Sequence, residues 1–234
     1  MNLNVNYDQF LSFVNTQIKP SSNRAPAKRA TQFQAVTISR ETGSGGNAIA
    51  ERLIEQLQRT NRVSVRPWTL FDKNLIEKVL EDHQLPGTLA KFFPEDRLTE
   101  LQDIMDEVFG LRPSSWRLVQ QTGETMLQLA ALGNAVLVGR GANIVTRRLT
   151  DVLHVRFTGS LDTRVRRLCG DRSLTRQAAL NLIQQEDAGR RRYIKKYFNA
   201  DIADPLLYHL VINTDLVSVE GAAEELRRIV VEGF

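Results

Sequence analysis

Three glycines fall within four residues, Gly43, Gly45 and Gly46 around Ser44, between the β-branched run Ala35-Val36-Thr37-Ile38 and a segment of helical periodicity. Glycines in that setting let the backbone turn so that successive N–H groups converge, and the helix N-terminus behind them adds partial positive charge. The chemistry this predicts is the cradling of phosphate oxygens. A tight strand-to-helix turn would need fewer glycines. The full phosphate-loop pattern is G-x-x-x-x-G-K-[ST], and this chain departs from it. Arg40 occupies the place of the first glycine, Gly46 stands where the lysine should be, Asn47 follows it, and Ala48 offers no hydroxyl. Backbone N–H groups still bind phosphates without the lysine. The positive charge that neutralises a moving phosphoryl group must then come from elsewhere, and Arg40, at the mouth of the loop, is the candidate.

Two further groups of residues suit the same chemistry. Gly139-Arg140-Gly141 ends a second apolar run, Ala135-Val136-Leu137-Val138. An arginine fork matches phosphate geometry bidentately, and flanking glycines permit close approach; alone, the motif reads first as a surface arginine in a turn, and it is the second glycine loop at the same sheet edge that favours the phosphate. In EDAGRRRYIKK, Glu186 and Asp187 precede Arg190 by four and three residues. Ion pairs within one helix explain that spacing, and so does a mobile arginine-bearing cover closing on phosphates. Residues 156–196 hold eleven Lys or Arg against four acids, a local charge of +7 that leaves −3 for the rest of a chain of net charge +4. Such a field suggests an anionic ligand. Nothing resembling a helix-turn-helix, zinc or RNP pattern accompanies it, which argues against nucleic acid.

The elements that must position these residues follow from periodicity. Apolar Ile49, Leu53, Ile54 and Leu57 define a helix after the glycine loop. Residues 63–71 suggest a second strand, broken by Pro67, and 72–110 read as helical with punctuation at Pro86-Gly87 and Pro94. Ser114 or Ser115 can cap a long helix that stops at Gly133. Val152 to Phe157 is a strand, a basic helix begins near Leu161, and Thr175 opens another through the basic cluster. Leu210 to Asn213 is the last strand, followed by a Ser218-capped helix with Val219, Ala222, Leu226, Ile229 and Val230 on its apolar face. Strands alternating with helices predict an α/β fold, a parallel sheet flanked by helices that binds ligands at the carboxyl ends of its strands.

The first thirty residues read as an appendage. Tyr7, Phe10, Leu11, Val14 and Ile18 form one helical stripe capped at Asn6, and PSSNRAPAKRA is a linker. The expected division is therefore an N-terminal helix and linker over 1–30 and a main domain over 31–234, with self-association through residues 6–18 as one use of the helix. With 42% apolar and 25% charged residues the 234-residue chain is not disordered. No apolar run reaches the ~18 residues of a membrane span, no signal-peptide pattern opens the chain, and Cys169 is the single cysteine. A cytoplasmic location without membrane contact is the expectation. His83, His154 and His209 lack metal-ligand spacing and read as structural, so no protein-held metal site is expected. Trp68 and Trp116 read as core.

In order along residues 35–230, the pieces ISRETGSGGNAIAERL, FDKNLIEKV, VLVGRGANIV, LHVRFTGSLDTRVRRL, DAGRRRYIKKYF and YHLVINTD resemble the cytidylate kinase-like branch of the nucleoside monophosphate kinases. The resemblance implies a P-loop fold with a five-stranded parallel sheet, a helical monophosphate-binding insert at about 75–130 and an arginine-rich lid at about 170–200. It implies transfer of the γ-phosphoryl of ATP, with Mg2+, to a nucleoside monophosphate, CMP or dCMP first. The ATP-binding residues would be Gly43, Ser44, Gly45, Gly46, Asn47 and Ala48. Arg140 matches the arginine that holds the acceptor phosphate, Asp187 and Arg190 match residues that meet the acceptor's ribose and phosphate, and Asp72 matches an aspartate after the second strand. Arg164 matches an arginine that begins the lid. With Arg40, the arginines 140, 164 and 190 make the catalytic set. Asn213-Thr214-Asp215 resembles the turn that lies against adenine. His209 stands where the family has an aspartate. A nucleotide-binding regulator that kept the cradle and lost the chemistry is the alternative, supported by the missing lysine.

Overall fold

The computed structural model describes residues 32–60, 67–72, 93–110 and 116–234. Five parallel strands form one sheet: β1 (Ala35–Arg40), β2 (Thr69–Phe71), β3 (Ala135–Val138), β4 (Val152–Thr158) and β5 (Leu210–Asn213), in the spatial order β2-β3-β1-β4-β5. Residue 35 pairs with both Ala135 and Val152, and Arg40 pairs with Phe157. The register therefore brings the carboxyl ends of β1, β3 and β4 to one edge, where the loops with chemistry begin.

Helix α1 (Gly46–Thr60) and the C-terminal helix α7 (Val219–Glu232) cover one face. There Val36, Ile38, Val136 and Val155 meet Ile49, Leu53, Leu57, Ala222, Leu226 and Val230, all essentially buried. Each large aliphatic side chain so buried contributes about 1.5–3 kcal/mol. The other face carries α2 (Glu95–Phe109), α3 (Arg117–Leu132) and the single turn α4 (Ala142–Val145), with Leu101, Ile104, Met126 and Val145 packed on Ala35, Ala135 and Leu137. Burial on both faces explains why the strands read as continuous apolar runs. Helices α5 (Leu161–Arg172) and α6 (Arg176–Phe198) share a small cluster of their own, Val165, Leu168, Ala179 and Ile183.

Caps agree with the residue chemistry at three helices. Ser160, Thr175 and Ser218 each accept a backbone N–H with the side-chain oxygen at the start of α5, α6 and α7. Of the expected second strand, residues 63–66 lie outside the described residues, and the described part is strand over Thr69–Phe71, behind Pro67, which has no N–H for a ladder. One expectation changes. The GRG turn does not simply close β3 but opens α4. Residues 1–30, His83 and Ser114 or Ser115 lie outside the described residues, and α3 is entered through Trp116 with no side-chain cap. Trp68 is buried as expected.

His154 and His209 stack on each other, with ring centroids 4.9 Å apart and planes within 8°. His154 shares a hydrogen bond with the Thr37 hydroxyl (2.8 Å), and its backbone N–H donates to Nδ1 of His209 (2.9 Å). Burial, and secondarily the neighbouring imidazole, pushes the pKa of His154 down to about 3. Burial lowers that of His209 as well. These are neutral structural imidazoles.

Candidate active site

The glycine loop leaves β1 at Glu41 and enters α1 at Gly46. Gly43 and Gly45 both take positive φ, 78° and 82°, the conformation that turns consecutive N–H groups to one side. The loop is pinned from outside. The Ser44 hydroxyl and N–H donate to the Glu41 carbonyl at 2.8 and 3.2 Å, and the Glu41 N–H donates to the Phe157 carbonyl at 3.1 Å. A Cβ on Gly43 would sit 2.6 Å from the Arg164 carbonyl oxygen, so α5 presses directly on the loop backbone. Asn47 and Ala48, on the first turn of α1, are exposed.

Two arginines one turn apart on α5 hold that contact. Arg164 donates to Asp187 Oδ2 (2.5 Å) and to the Thr42 carbonyl (3.3 Å), and its Nε lies 3.7 Å from Glu41. Arg167 donates to the Ser44 carbonyl (3.1 Å) and to the Thr214 hydroxyl and carbonyl (2.8 and 2.6 Å), tying the loop to the Asn213-Thr214-Asp215 turn. Neither Arg167 nor Thr42 is marked by any motif. Only the three-residue spacing from Arg164, which puts both on one helix face while Arg166 points elsewhere, could have found Arg167.

From α6, Asp187 Oδ1 accepts the backbone N–H of Thr42 at 2.9 Å. The Thr42 hydroxyl shares its proton between Asp187 (2.8 Å) and Glu186 (3.0 Å) and accepts from Arg190. Arg190 also pairs with Asp187 (3.0 Å) and Glu186 (2.7 Å). Burial acts to raise the Asp187 pKa, but the Thr42 N–H and the Arg164 guanidinium outweigh it and hold the carboxyl below its ordinary 3.8. A carboxylate is thus stably ionised against the loop.

Beside this cluster opens a cavity of about 340 Å³, with Arg40, Arg140, Arg190 and Glu186 on its wall and Ile38, Val138, Ile194 and Tyr208 among its apolar lining. Arg140 occupies the left-handed region at φ 55° and its guanidinium lies 5.0 Å from the centre of the Tyr193 ring. Arg40 is largely withdrawn from water. Burial and then the positive charge of Arg190 lower its pKa to about 10, while Glu186 and Asp72 act in the opposite direction. Three of the four arginines expected from the sequence therefore share one cavity. Arg164 and Asp187 sit next to it, bonded to Thr42, and Asp72, after β2, is felt through its charge on Arg40.

Among the described residues no three acidic, histidine or cysteine side chains converge so as to hold a metal ion. The carboxylates at the loop, Glu41, Glu186 and Asp187, are engaged by arginines, the Gly159 N–H and Thr42. These donors do not form a magnesium cage. No helix among the described residues is long and apolar enough to cross a membrane.

A five-stranded parallel sheet in this order, with a glycine loop between its central strand and the next helix, is the P-loop kinase fold. The model of the cytidylate kinase-like family matches residues 35–216, and the chain belongs to that family. A cytidylate kinase of Methanocaldococcus jannaschii is 23% identical over 149 residues, covering 63% of this chain and 84% of that protein. Among solved structures, an uncharacterized protein from Eubacterium ventriosum superposes with a TM-score of 0.61 at 20% identity, over 85% of this chain and 98% of the other. A shikimate kinase from Bacteroides thetaiotaomicron gives 0.44 at 13% identity, over 83% and 97%.

Proposed function

We propose that the protein transfers the γ-phosphoryl group of ATP to a nucleoside monophosphate, with CMP or dCMP the first acceptors to test. The observation that carries this reading is the convergence of Arg40, Arg140 and Arg190, from β1, the GRG turn and α6, on one cavity beside the glycine loop. Phosphoryl transfer asks a protein for positioning and charge neutralisation rather than covalent chemistry. Backbone N–H groups of residues 43–46 bind the ATP phosphates, together with the N-terminus of α1. Arg140 takes the acceptor phosphate with its planar fork, Arg190 reaches over from α6, Arg164 holds Asp187 and the loop carbonyl of Thr42 in place, and α6 keeps water out. Mg2+ bound with ATP would supply further neutralisation of the nucleotide's phosphates.

The second reading is a nucleotide-binding regulator without kinase activity, and the observation favouring it is Gly46 in place of the lysine. One experiment separates them. The protein is incubated with ATP, magnesium and each ribo- or deoxyribonucleoside monophosphate in turn, and diphosphate is scored. Turnover with one acceptor supports the kinase and names its substrate; measurable ATP binding with no turnover on any acceptor supports the regulator.

A further inference from the structure

The glycines of a phosphate loop are empty spaces as well as turns, and what fills the space at Gly46 is specific. A Cβ built there would lie 2.8 Å from Arg40 Cβ, 3.1 Å from Arg40 Cγ and 3.3 Å from the Phe157 ring. These are the root of a side chain and a buried aromatic, which cannot swing aside. Residue 46 must lack a side chain as long as residue 40 has one. At its other end, the Arg40 side chain runs over Gly139. A Cβ at that glycine would fall on the Arg40 guanidinium, with Cζ at 3.5 Å. One arginine is thus accommodated by two glycines on two different loops, one at its root and one at its tip.

We infer that this chain has exchanged the two ends of the phosphate-loop pattern, so that the cation normally placed after the last glycine is delivered by Arg40 from the position of the first, and Gly46 is the space that admits it. The pattern's first glycine and its lysine fall at residues 40 and 46, and the two residues found there are an arginine and a glycine. Among the described residues, Arg156, Arg164 and Arg190 pair with the carboxylates Glu41, Glu186 and Asp187. The tip of Arg40 lies over Gly139, the residue before Arg140, and both arginines line the cavity, so a phosphoryl group in transit there meets their charge. An arginine there spans two oxygens with one planar fork, whereas a lysine offers a point charge. Burial first, and then the charge of Arg190, lower the Arg40 pKa against the opposing charges of Glu186 and Asp72, as fits a guanidinium largely withdrawn from water beside the cavity.

This inference rests on the kinase reading, and its test has one arm that does not depend on turnover. In the first arm, Gly46→Ala, Arg40→Gly and the double variant are compared by thermal unfolding. Gly46→Ala should lower the melting temperature, and adding Arg40→Gly should recover most of that loss, because only removal of the Arg40 Cβ clears the space. Equal losses in both backgrounds overturn the reciprocal fit. In the second arm, turnover and ATP affinity are measured for Arg40→Gly, Arg40→Lys and Arg40→Gly/Gly46→Lys. Arg40→Gly should lose about 100-fold or more in kcat, as removal of a donor aimed at developing charge does, with little change in ATP affinity. Arg40→Lys should keep part of the activity. The double variant, with its cation restored at residue 46, should regain at least about tenfold over Arg40→Gly. A parent that turns over while Arg40→Gly keeps its kcat, or a folded double variant that regains nothing, overturns the exchange alone. A parent inactive on every acceptor overturns the kinase reading itself.

Discussion

Arg140→Ala isolates the guanidinium of the GRG turn. Alanine keeps the Cβ, so the backbone strain of the left-handed residue at φ 55° is the same in both proteins. What is lost is the fork above Tyr193, 5.0 Å from the ring centre, and its reach into the cavity. A charge-assisted hydrogen bond to a phosphate is worth about 1.5–3 kcal/mol, which at 1.36 kcal/mol per decade predicts acceptor binding weaker by roughly 12- to 160-fold. On the proposed reading the loop backbone holds ATP on the other side, so its affinity should change by less than about twofold. The free protein loses the stacking on Tyr193, about 1 kcal/mol, or roughly 2–4 °C in melting temperature for a domain of this size. Calorimetric titration with CMP and, separately, with ATP reads both affinities, and a thermal scan reads the third quantity. Equal weakening for the two nucleotides would refute the placement of Arg140 on the acceptor side.

Three other outcomes follow from the fold. Acid should destabilise the protein through the histidine pair: unfolded His154 takes up a proton near pH 6.5, the folded residue only near 3. The unfolded state therefore binds more protons across that interval, and stability falls as pH drops from about 6.5 toward 3, by at most roughly 5 kcal/mol at 1.36 per unit. Urea unfolding of a His154→Gln variant should show a flatter dependence, and an unchanged slope would remove the pair as its source. Gly141→Ala places a Cβ 2.6 Å from the Phe198 ring at φ 76°; it should cost about 1–3 kcal/mol in urea unfolding, and a neutral result would mean that α6 does not press on the turn. A chain beginning at Thr31 should bind ATP as the full chain does, and a truncated protein that folds but no longer binds would put the boundary of the nucleotide domain upstream.

What could be read from the residues was whatever burial and turn chemistry impose locally. β3 and β5 have the limits expected from their apolar runs, and Ser160, Thr175 and Ser218 cap as short polar residues before helical stripes do. The glycine loop and the GRG turn lie together because parallel strands of like register end together. The partners of those loops were not legible. Arg167 is one of three arginines in four residues; its spacing from Arg164 puts the two on one helix face, but nothing local says that Arg167 meets Thr214. Thr42 stands at a position that the phosphate-loop pattern leaves open, and its bonds to Glu186 and Asp187 span about 145 residues. Asp187 and Arg190 could be read as an intrahelical pair, which they are, but the pair's second attachment, to the loop, exists only in three dimensions.

The contact between Gly141 and Phe198 has a mechanical consequence. Phe198 ends α6 and is wedged against the turn and the Phe109 ring, 5.6 Å from it. That end acts as a fulcrum. Asp187 lies eleven residues up the helix, an arm of about 16 Å at 1.5 Å per residue, and Ile194 lies four residues up, about 6 Å. Rotating α6 by about 10° displaces Asp187 by roughly 3 Å, which no hydrogen bond survives, and Ile194 by only about 1 Å. The helix is a lever with unequal throw: at its far arm it makes or breaks its own bonds to Thr42, while the cavity wall near its pivot scarcely moves.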